Sequence, residues 1–331
     1  MYKRQSQHNH ESELPKTTQL VHNLTAGAIL VLGAVLFSTK AIMVKLVLQY
    51  DVDPVSLLLI RLFFALPVYV AILVFCKWKQ RRLDPRVGDD SDGSNDLRLR
   101  DHLLKIILLG FVGYYLASYF DFVGLTFITA SLERVILYAY PTIVLLISVI
   151  VFKKRINVHQ IIAVVLCYAG IFVSVWFQQS DGPSDNLSLG VTLIFLSALT
   201  YAIYLVGSGQ LIPKLGVWVF TSSAMIVSAV CVAIHFLVAN GDVNIFGYRW
   251  QVYGYGVAMA IFATVIPSFL ISEGIKRIGA SNAAIIGGVG PVSTIVLASI
   301  FLGEQFTVPQ MIGTAMVIIG VIYISVNMKK S

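Results

Sequence analysis

The sequence is poor in charged residues: Asp, Glu, Lys and Arg make up only 12% of its 331 residues. A soluble domain has about 25%. Hydrophobic residues make up 57%, and the mean hydropathy is +0.81. The net charge of +7 does not indicate nucleic acid as a partner, because the basic residues fall in short clusters between apolar runs. These features predict a protein that lies in a lipid bilayer.

The sequence also lacks the residue patterns of several functional classes. Its three cysteines and six histidines are scattered, so they predict neither a disulfide framework nor a metal site. It has no His-Glu-x-x-His motif, no Gly-x-Ser-x-Gly elbow and no paired aspartates, which argues against an intramembrane enzyme. It has no Walker loop either, so primary pumping driven by ATP is not expected. We therefore predict a protein that is not an enzyme and has no cofactor and no bound metal.

Long apolar runs dominate the chain. About 20 apolar residues in helical form cross a bilayer, and ten runs qualify, the first as an uncleaved helix and not a signal peptide. The ten predicted spans are 25–47, 54–76, 103–121, 131–151, 157–177, 188–210, 216–238, 250–273, 280–301 and 307–327. The predicted fold class is an all-α membrane protein with ten transmembrane helices.

The basic residues between the spans predict the orientation. If the spans alternate in direction, 19 of the 24 Lys and Arg residues fall on one side and only Arg249 falls on the other. The side rich in Lys and Arg is normally cytoplasmic. We therefore predict that both termini are cytoplasmic and that the protein is a multi-pass protein of the plasma membrane, the inner membrane of a bacterium.

An internal repeat relates the two halves of the chain. At a constant offset of 150 residues, Ala130-Ser131 matches Ala280-Ser281, Pro141 matches Pro291, and Gln160 matches Gln310. Five spans per half is an odd number, so the second half must start from the opposite side of the membrane. Inverted repeats of this kind are typical of secondary transporters. The predicted domains are a polar cytoplasmic tail (1–24), a first repeat (25–177, with a flexible cytoplasmic loop at 77–102) and a second repeat (188–327).

Short motifs in both halves carry a family resemblance. The second half has Gly279-Ala280-Ser281, Gly290-Pro291, Leu302-Gly303-Glu304, Gln310 and Gly313, and the first has Ser131, Tyr140-Pro141 and Gln160. This order resembles two EamA domains of the drug/metabolite transporter superfamily. The first half departs from it with Lys153-Lys154 at the place of Gly303-Glu304. The resemblance implies transport of a metabolite and leaves the cargo open.

Four charged residues inside the spans are the main candidates for the binding site. They are Lys40, Arg61, Glu133 and Arg134, and each charge at the centre of a membrane helix costs roughly 2.5–3.5 kcal/mol. Lys40, Arg61 and Glu133 fall at comparable depths in spans 1, 2 and 4. We predict that Glu133 pairs with Arg61 or Lys40, which leaves a positive group for a carboxylate or phosphate on the cargo. The alternative is a structural network of ion pairs, and Glu133 is also the candidate for a proton site.

Uncharged polar residues add to the predicted site. Span 6 carries Ser197, Tyr201, Tyr204 and Ser208 on one helical face, and span 3 carries Tyr114, Ala117, Ser118 and Asp121 on another. From these faces and the spans around them, the predicted cargo-binding residues are Tyr114, Tyr138, Tyr201, Tyr204 and Asn282. Pro141 and Pro291 lie near the middle of spans 4 and 9, where each would kink its helix and act as a hinge.

These patterns favour a secondary active transporter that works by alternating access. The predicted cargo is a small polar metabolite, an amino acid or a related carboxylate-bearing compound, and the predicted direction is export. An exchanger of phosphorylated or nucleotide-linked metabolites is the alternative within the superfamily, and a channel or an intramembrane enzyme is the alternative outside it. Expected partners are the cargo, the bilayer, protons as a coupling ion and, through the small residues of spans 5 and 10, a second copy of the chain.

Overall fold

A computed structural model describes residues 16–83, 101–152, 157–177, 186–239 and 244–328. All regular elements within these ranges are helices, as expected. They are α1 (Lys16–Leu48), α2 (Pro54–Leu83), α3 (Leu103–Gly110), the π-helix π1 (Phe111–Leu116), α4 (Ala117–Gly124), α5 (Ala130–Leu137), α6 (Tyr140–Phe152), α7 (Val158–Trp176), α8 (Leu187–Leu215), α9 (Val217–Ala239), α10 (Trp250–Ala260), the π-helix π2 (Ile261–Val265), α11 (Ile266–Ile286), α12 (Val289–Leu302) and α13 (Val308–Met328).

Eight helical segments of the described residues are long and apolar enough to cross a membrane, and two shorter apolar helices follow them. The shorter ones are Val289–Leu302 and Val308–Tyr323, in the last two predicted spans. Large apolar side chains such as Phe63, Leu104 and Ile150 are 65%, 69% and 77% exposed. Surface of this kind belongs against lipid chains rather than water. The all-helical membrane fold is therefore confirmed, and ten crossings remain a prediction.

Helices α1 and α2 extend into segments that were predicted to be tail and loop. Helix α1 begins at Lys16, so part of the predicted tail is helical, and α2 continues past residue 76 to Leu83. Residues 77–83 contain Lys, Gln, Arg and Leu, which are good helix formers, so nothing stops the helix there. Residues 1–15 and 84–100, with much of the predicted tail and loop, lie outside the described part of the chain.

Four turns lie together at one end of the molecule, which we call the Asp53 end. Tyr248 Oη lies 3.4 Å from Asp53 Oδ2, and Glu304 accepts hydrogen bonds from Ala130 and Ser131. Lys45, close to the Asp53 turn, interacts electrostatically with Glu304. The turns after α1, α4, α9 and α12 therefore share this end. Gly216 and Gly279, both at positive φ (82° and 80°), mark turns at the opposite end, which we call the Gly279 end.

The two halves share local structure at the 150-residue offset. The π-helix at Phe111–Leu116 recurs at Ile261–Val265. The main chain turns at residues 138–139, just before Pro141, and again at residues 287–288, just before Pro291. Each proline thus lies in the first turn of the helix after the break, where its missing N–H leaves no carbonyl without a partner.

Matching glutamines cap the last helix of each half. Gln160 Oε1 accepts a hydrogen bond from Asn157 N at 3.0 Å, and Gln310 Oε1 accepts one from Thr307 N at 3.0 Å. A side chain that bonds back to the start of its helix satisfies a backbone donor that has no helical partner. These repeated caps explain why both glutamines appear in the sequence repeat.

The small residues of α7 and α13 pack against each other within the chain. A side chain on Gly170 would meet Gly313 O at 2.5 Å, and one on Gly320 would meet Ala163 O at 2.8 Å. Small residues allow this close approach of membrane helices. The face of small residues was predicted to be a packing surface, either between spans or between subunits. In the structure it packs within one chain.

Candidate functional site

Two adjoining cavities lie between the halves. The Arg61 cavity is lined by Lys40, Arg61, Tyr114, Tyr204, Thr264 and Ser268, among others. The Arg134 cavity is lined by Leu30, Arg134, Tyr138, Tyr140, Ala283 and Pro291, among others. Phe37, Leu137, Tyr201 and Ile271 line both. The two cavities thus form a continuous region with walls from both halves.

Lys40 lies in a buried cluster with two carboxylates. Its Nζ lies 2.7 Å from Asp121 Oδ2 and 3.8 Å from Glu133 Oε1, and its side chain is 5% exposed. Lys40 therefore does pair with Glu133, but its closer partner is Asp121. Asp121 was predicted to lie on a polar face of span 3, but it was not predicted to be an ion-pair partner.

Glu133 is fully buried and lines neither cavity. Among the described residues, neither of its carboxyl oxygens accepts a hydrogen bond from a donor. Glu133 and Asp121 both approach Lys40 Nζ, at 3.8 Å and 2.7 Å, so the two carboxyl groups lie on the same ammonium group. The geometry is thus that of a carboxyl pair behind Lys40.

Arg134 connects three helices from the wall of its cavity. Its Nε donates to Thr294 Oγ1 at 2.9 Å, and a terminal nitrogen donates to the Phe37 carbonyl at 3.1 Å. The guanidinium also lies over the Phe37 ring, 5.3 Å from the centroid. Glu133 Oε2 is 4.0 Å from Arg134 Nε, which is too far for a hydrogen bond. Arg134 therefore joins α5 to α1 and α12, mostly through neutral partners.

Arg61 has fewer partners than the other two cations. Its side chain donates to Ser118 Oγ at 3.2 Å and lies over the Phe122 ring, 4.8 Å from the centroid. Its Nε is buried and makes no hydrogen bond. Within the described residues, no carboxylate lies within 4.0 Å of it. Lys40 and Arg134 are thus engaged by the protein, whereas Arg61, which lines the cavity, keeps a donor without a partner.

The predicted tyrosines form a continuous aromatic wall. Tyr114 and Tyr204 are joined by a 2.9 Å hydrogen bond between their hydroxyl groups. Tyr201 lies next to Tyr204, with ring centroids 6.0 Å apart, and Tyr140 lies edge-on to both Tyr138 and Tyr201. All four predicted tyrosines line one or both cavities.

The other predicted positions are less directly involved. The side chain of Asn282 lies outside the described part of the chain. Pro291 lines the Arg134 cavity, and Pro141 lies one residue beyond Tyr140, at the start of α6. The site role of all these residues, including the hinge role of the prolines, remains a prediction.

Two cavity residues, Thr264 and Ser268, were not predicted, although the sequence repeat could have revealed them. Tyr114 and Ser118 in the first half correspond to Thr264 and Ser268 in the second at the offset of 150. All four line the Arg61 cavity. Gly113 and its counterpart Ala263 line it as well, so both π-helices contribute to its wall. π-helical turns occur frequently at functional sites.

Glu304 closes the Asp53 end with contacts between the halves. Its two carboxylate oxygens accept bonds from Ala130 N (2.8 Å), Ser131 N (3.0 Å) and Ser131 Oγ (2.6 Å). Thr129 Oγ1 accepts the next backbone donor, Leu132 N, at 3.2 Å. The first three N–H groups of α5 are thus satisfied, and a carboxylate at a helix N-terminus is also favoured by the helix dipole.

No group of three or more His, Cys, Asp or Glu side chains that could hold a metal ion occurs in the described ranges. The cavity walls offer cations, hydroxyl groups and aromatic surfaces.

Comparison with known proteins supplies the family. The model of the EamA-like transporter family matches residues 25–176 and 188–326. The uncharacterized transporter YcbK of Bacillus subtilis (strain 168) is 30% identical over 297 residues, which cover 88% of this chain and 90% of YcbK. An uncharacterized transporter of Archaeoglobus fulgidus is 26% identical over 295 residues, covering 89% of this chain and 94% of the relative.

A solved crystal structure shares the fold. It matches 92% of this chain and 98% of its own, with a TM-score of 0.64 and 16% sequence identity. The helical architecture, the cavity between two halves and the family match over both of them agree with the resemblance seen in the sequence. This integral membrane protein therefore belongs to the EamA-like transporter family, within the drug/metabolite transporter superfamily.

Proposed function

We propose that the protein is a secondary active transporter that moves a small carboxylate-bearing metabolite, such as an amino acid or a related compound, by alternating access. The observation that supports this most is the cavity between the halves, whose wall uses the same offset positions from each half. In this proposal, residues 25–177 and 188–327 are two inverted repeats with five crossings each. They rock about the cavity, and Pro141 and Pro291 are hinges. The cargo is bound by Arg61 and by Tyr114, Tyr138, Tyr201, Tyr204 and Asn282, whereas Lys40, Glu133 and Arg134 shape the site around them.

The shape of the cavity supports a carrier rather than a channel. Ala283, in its wall, is four residues from Gly279, or about 6 Å along a helix. Towards the Asp53 end, Lys40 is held by Asp121 and Glu133, and Glu304, in the turn after α12, accepts a bond from the start of α5. A cavity that reaches towards one end and is closed at the other fits one state of an alternating-access cycle.

The distribution of basic residues supports a cytoplasmic Gly279 end. Lys214, Lys276 and Arg277 lie near it, whereas Arg249 is the basic residue of the loops at the Asp53 end. With this orientation both termini are cytoplasmic, the membrane is the plasma membrane, and cargo enters from the cytoplasm for export. A homodimer would have to use a surface other than the α7–α13 contact, because that contact is internal.

Flux through proteoliposomes tests the proposal. Purified protein should exchange radiolabelled carboxylate-bearing metabolites with unlabelled cargo on the other side, and liposomes containing the Arg61→Met variant should not. A matched control is Lys214→Gln, which removes an exposed positive charge away from the cavities. Flux of inorganic ions that does not saturate would favour a channel instead. Exchange of phosphorylated compounds alone would favour the alternative exchanger.

Proton coupling is the second part of the proposal, and Asp121 and Glu133 support it. Both carboxyl groups lie beside Lys40 Nζ, and in this proposal uptake or release of a proton by Glu133 accompanies rearrangement of the cluster. We expect Glu133→Gln to bind cargo and exchange it, but to lose acceleration by a pH gradient. Transport by Glu133→Gln that still responds to a pH gradient would exclude this coupling site.

A further inference from the structure

Arg61 and Thr264 line the same cavity, and each has hydrogen-bonding capacity that is unused. Arg61 is 4% exposed and its Nε makes no hydrogen bond, and Thr264 is 6% exposed and its Oγ1 makes none. A buried donor left without a partner costs about 1–3 kcal/mol. Both groups line the Arg61 cavity, one from α2 and the other from π2. A single ligand with oxygen acceptors could satisfy both.

The other cations of the region are not equally available. Lys40 is held 2.7 Å from Asp121, and Arg134 Nε is bonded to Thr294. Within the described residues, Arg61 is the cation of the cavities that has neither an ion pair nor bonds through its Nε. One guanidinium matches the charge and the planar geometry of one carboxylate. A phosphate dianion would need further positive charge.

The rest of the wall offers apolar and aromatic surface rather than a negative charge. Phe37, Leu137, Met225 and Ile271 line the Arg61 cavity together with the tyrosines. No carboxylate of the described residues lines either cavity, since Asp121 and Glu133 lie behind Lys40. An ammonium group on the cargo would therefore lose water without gaining a counter-ion, which is costly in a buried site.

From these observations, we infer that the Arg61 cavity binds a monocarboxylate with an uncharged apolar or aromatic body, and that it discriminates against the corresponding amino acid. Arg61 binds the carboxylate, and Thr264 orients it with a second hydrogen bond. Lys40, Glu133 and Arg134 hold the surrounding helices and do not contact the carboxylate. This inference rests on the proposed transport function and narrows its cargo class, because it excludes the amino acids that the broader proposal includes.

Four small probes separate the contributions. Binding to the full-length protein in detergent is measured by calorimetry with 3-phenylpropanoate, L-phenylalanine, 2-phenylethylamine and phenyl phosphate. We expect 3-phenylpropanoate to bind about 10-fold or more tightly than the other three, which corresponds to about 1.4 kcal/mol. Equal or tighter binding of L-phenylalanine or of the amine would overturn the inference, as would the absence of binding by 3-phenylpropanoate.

Three substitutions at two positions test the residues. Arg61→Met should abolish binding of 3-phenylpropanoate, and Arg61→Lys should restore it in part, because the charge returns without the planar fork. Thr264→Val keeps the shape of the side chain and should weaken binding about 3–10-fold, the effect expected for one hydrogen bond. Lys214→Gln is the matched control for lost positive charge. Wild-type affinity in Arg61→Met would overturn the assignment.

Folding and flux are measured alongside binding. Each variant is compared with the wild type by size-exclusion chromatography and thermal unfolding. If Arg61→Met does not fold, Arg61→Lys and Thr264→Val decide the question, because unchanged affinity in both would overturn the inference. Binding of 3-phenylpropanoate without any flux in proteoliposomes would support this site while refuting the proposed transport. Flux of other metabolites without binding of 3-phenylpropanoate would support the proposed transport while refuting this site.

Discussion

The two halves of the molecule have the same scaffold and different chemistry. Both have a π-helix, a broken helix before a proline and a glutamine cap at the same offset. Yet Glu133 and Arg134 in the first half correspond to Ala283 and Ala284 in the second, and Tyr138 corresponds to Gly288. The first half thus supplies charge and bulk where the second supplies space. The repeated backbone features serve the fold of each half, whereas the buried charges and tyrosines are needed in one half only if the protein has a single binding site.

Among the substitutions that test this difference between the halves, replacing Lys40 should have the largest effect on stability. Lys40→Met should leave Asp121 and Glu133 buried without their ammonium partner, which costs about 3–5 kcal/mol when one member of a buried ion pair is removed. We expect low yield and a markedly lower midpoint of thermal unfolding. Combining Lys40→Met with Asp121→Asn should recover much of the loss. A Lys40→Met protein as stable as the wild type would show that the cluster contributes little.

The contact of Glu304 across the halves should have the next largest effect. Glu304→Ala removes a charged acceptor that takes three bonds at the start of α5, and bonds to charged groups contribute about 1.5–3 kcal/mol. A cysteine placed at Ser131 in a background without Cys76, Cys167 and Cys231 should also react faster with a water-soluble maleimide when Glu304 is replaced.

Ser131→Ala is the matched control for that experiment, because it removes one of the three bonds and leaves the carboxylate in place. It should lower the unfolding midpoint less than Glu304→Ala does. If the cysteine at position 131 reacts at the same rate with and without Glu304, then Glu304 does not close this end.

The smallest expected effect compares the two π-helices. Gly113 packs directly on Tyr204, so a methyl group has no room there. Gly113→Ala should cost about 1–3 kcal/mol through overpacking. The counterpart, Ala263, already has a side chain, and Ala263→Gly should cost about 0.5–1 kcal/mol. Equal losses in thermal stability would mean that the two segments pack alike.

Much of the fold could be predicted from the sequence because a membrane allows few backbone solutions. The sequence alone is enough to identify the long apolar runs, the alternation of basic loops and the 150-residue offset, because none of them depends on contacts between distant residues. The ends of α1 and α2 were less predictable, since residues 16–24 and 77–83 are polar but remain helical outside the apolar run. Hydropathy predicts only the part of a helix that lies in the bilayer, and these segments are helical because of their helix propensity.

The site was only partly predictable because its partners are distant in sequence. Lys40, Arg61 and Arg134 were recognisable as rare charges in apolar helices, and all three line the cavities. Nothing local pairs Lys40 with Asp121, 81 residues away, or Glu304 with Ser131, 173 residues away. Thr264 and Ser268, by contrast, follow from Tyr114 and Ser118 once the offset is applied.

The paired π-helices also bear on the history of the chain. A π-turn contains one residue more than an α-turn, and here the additional residue occurs at positions 150 apart, Phe111–Leu116 and Ile261–Val265. The simplest origin is one insertion in an ancestral five-helix unit, copied when its gene was duplicated. The buried charges, present in one copy only, then date from the divergence of the copies. The shape of the binding cavity would thus be older than its preference for any cargo.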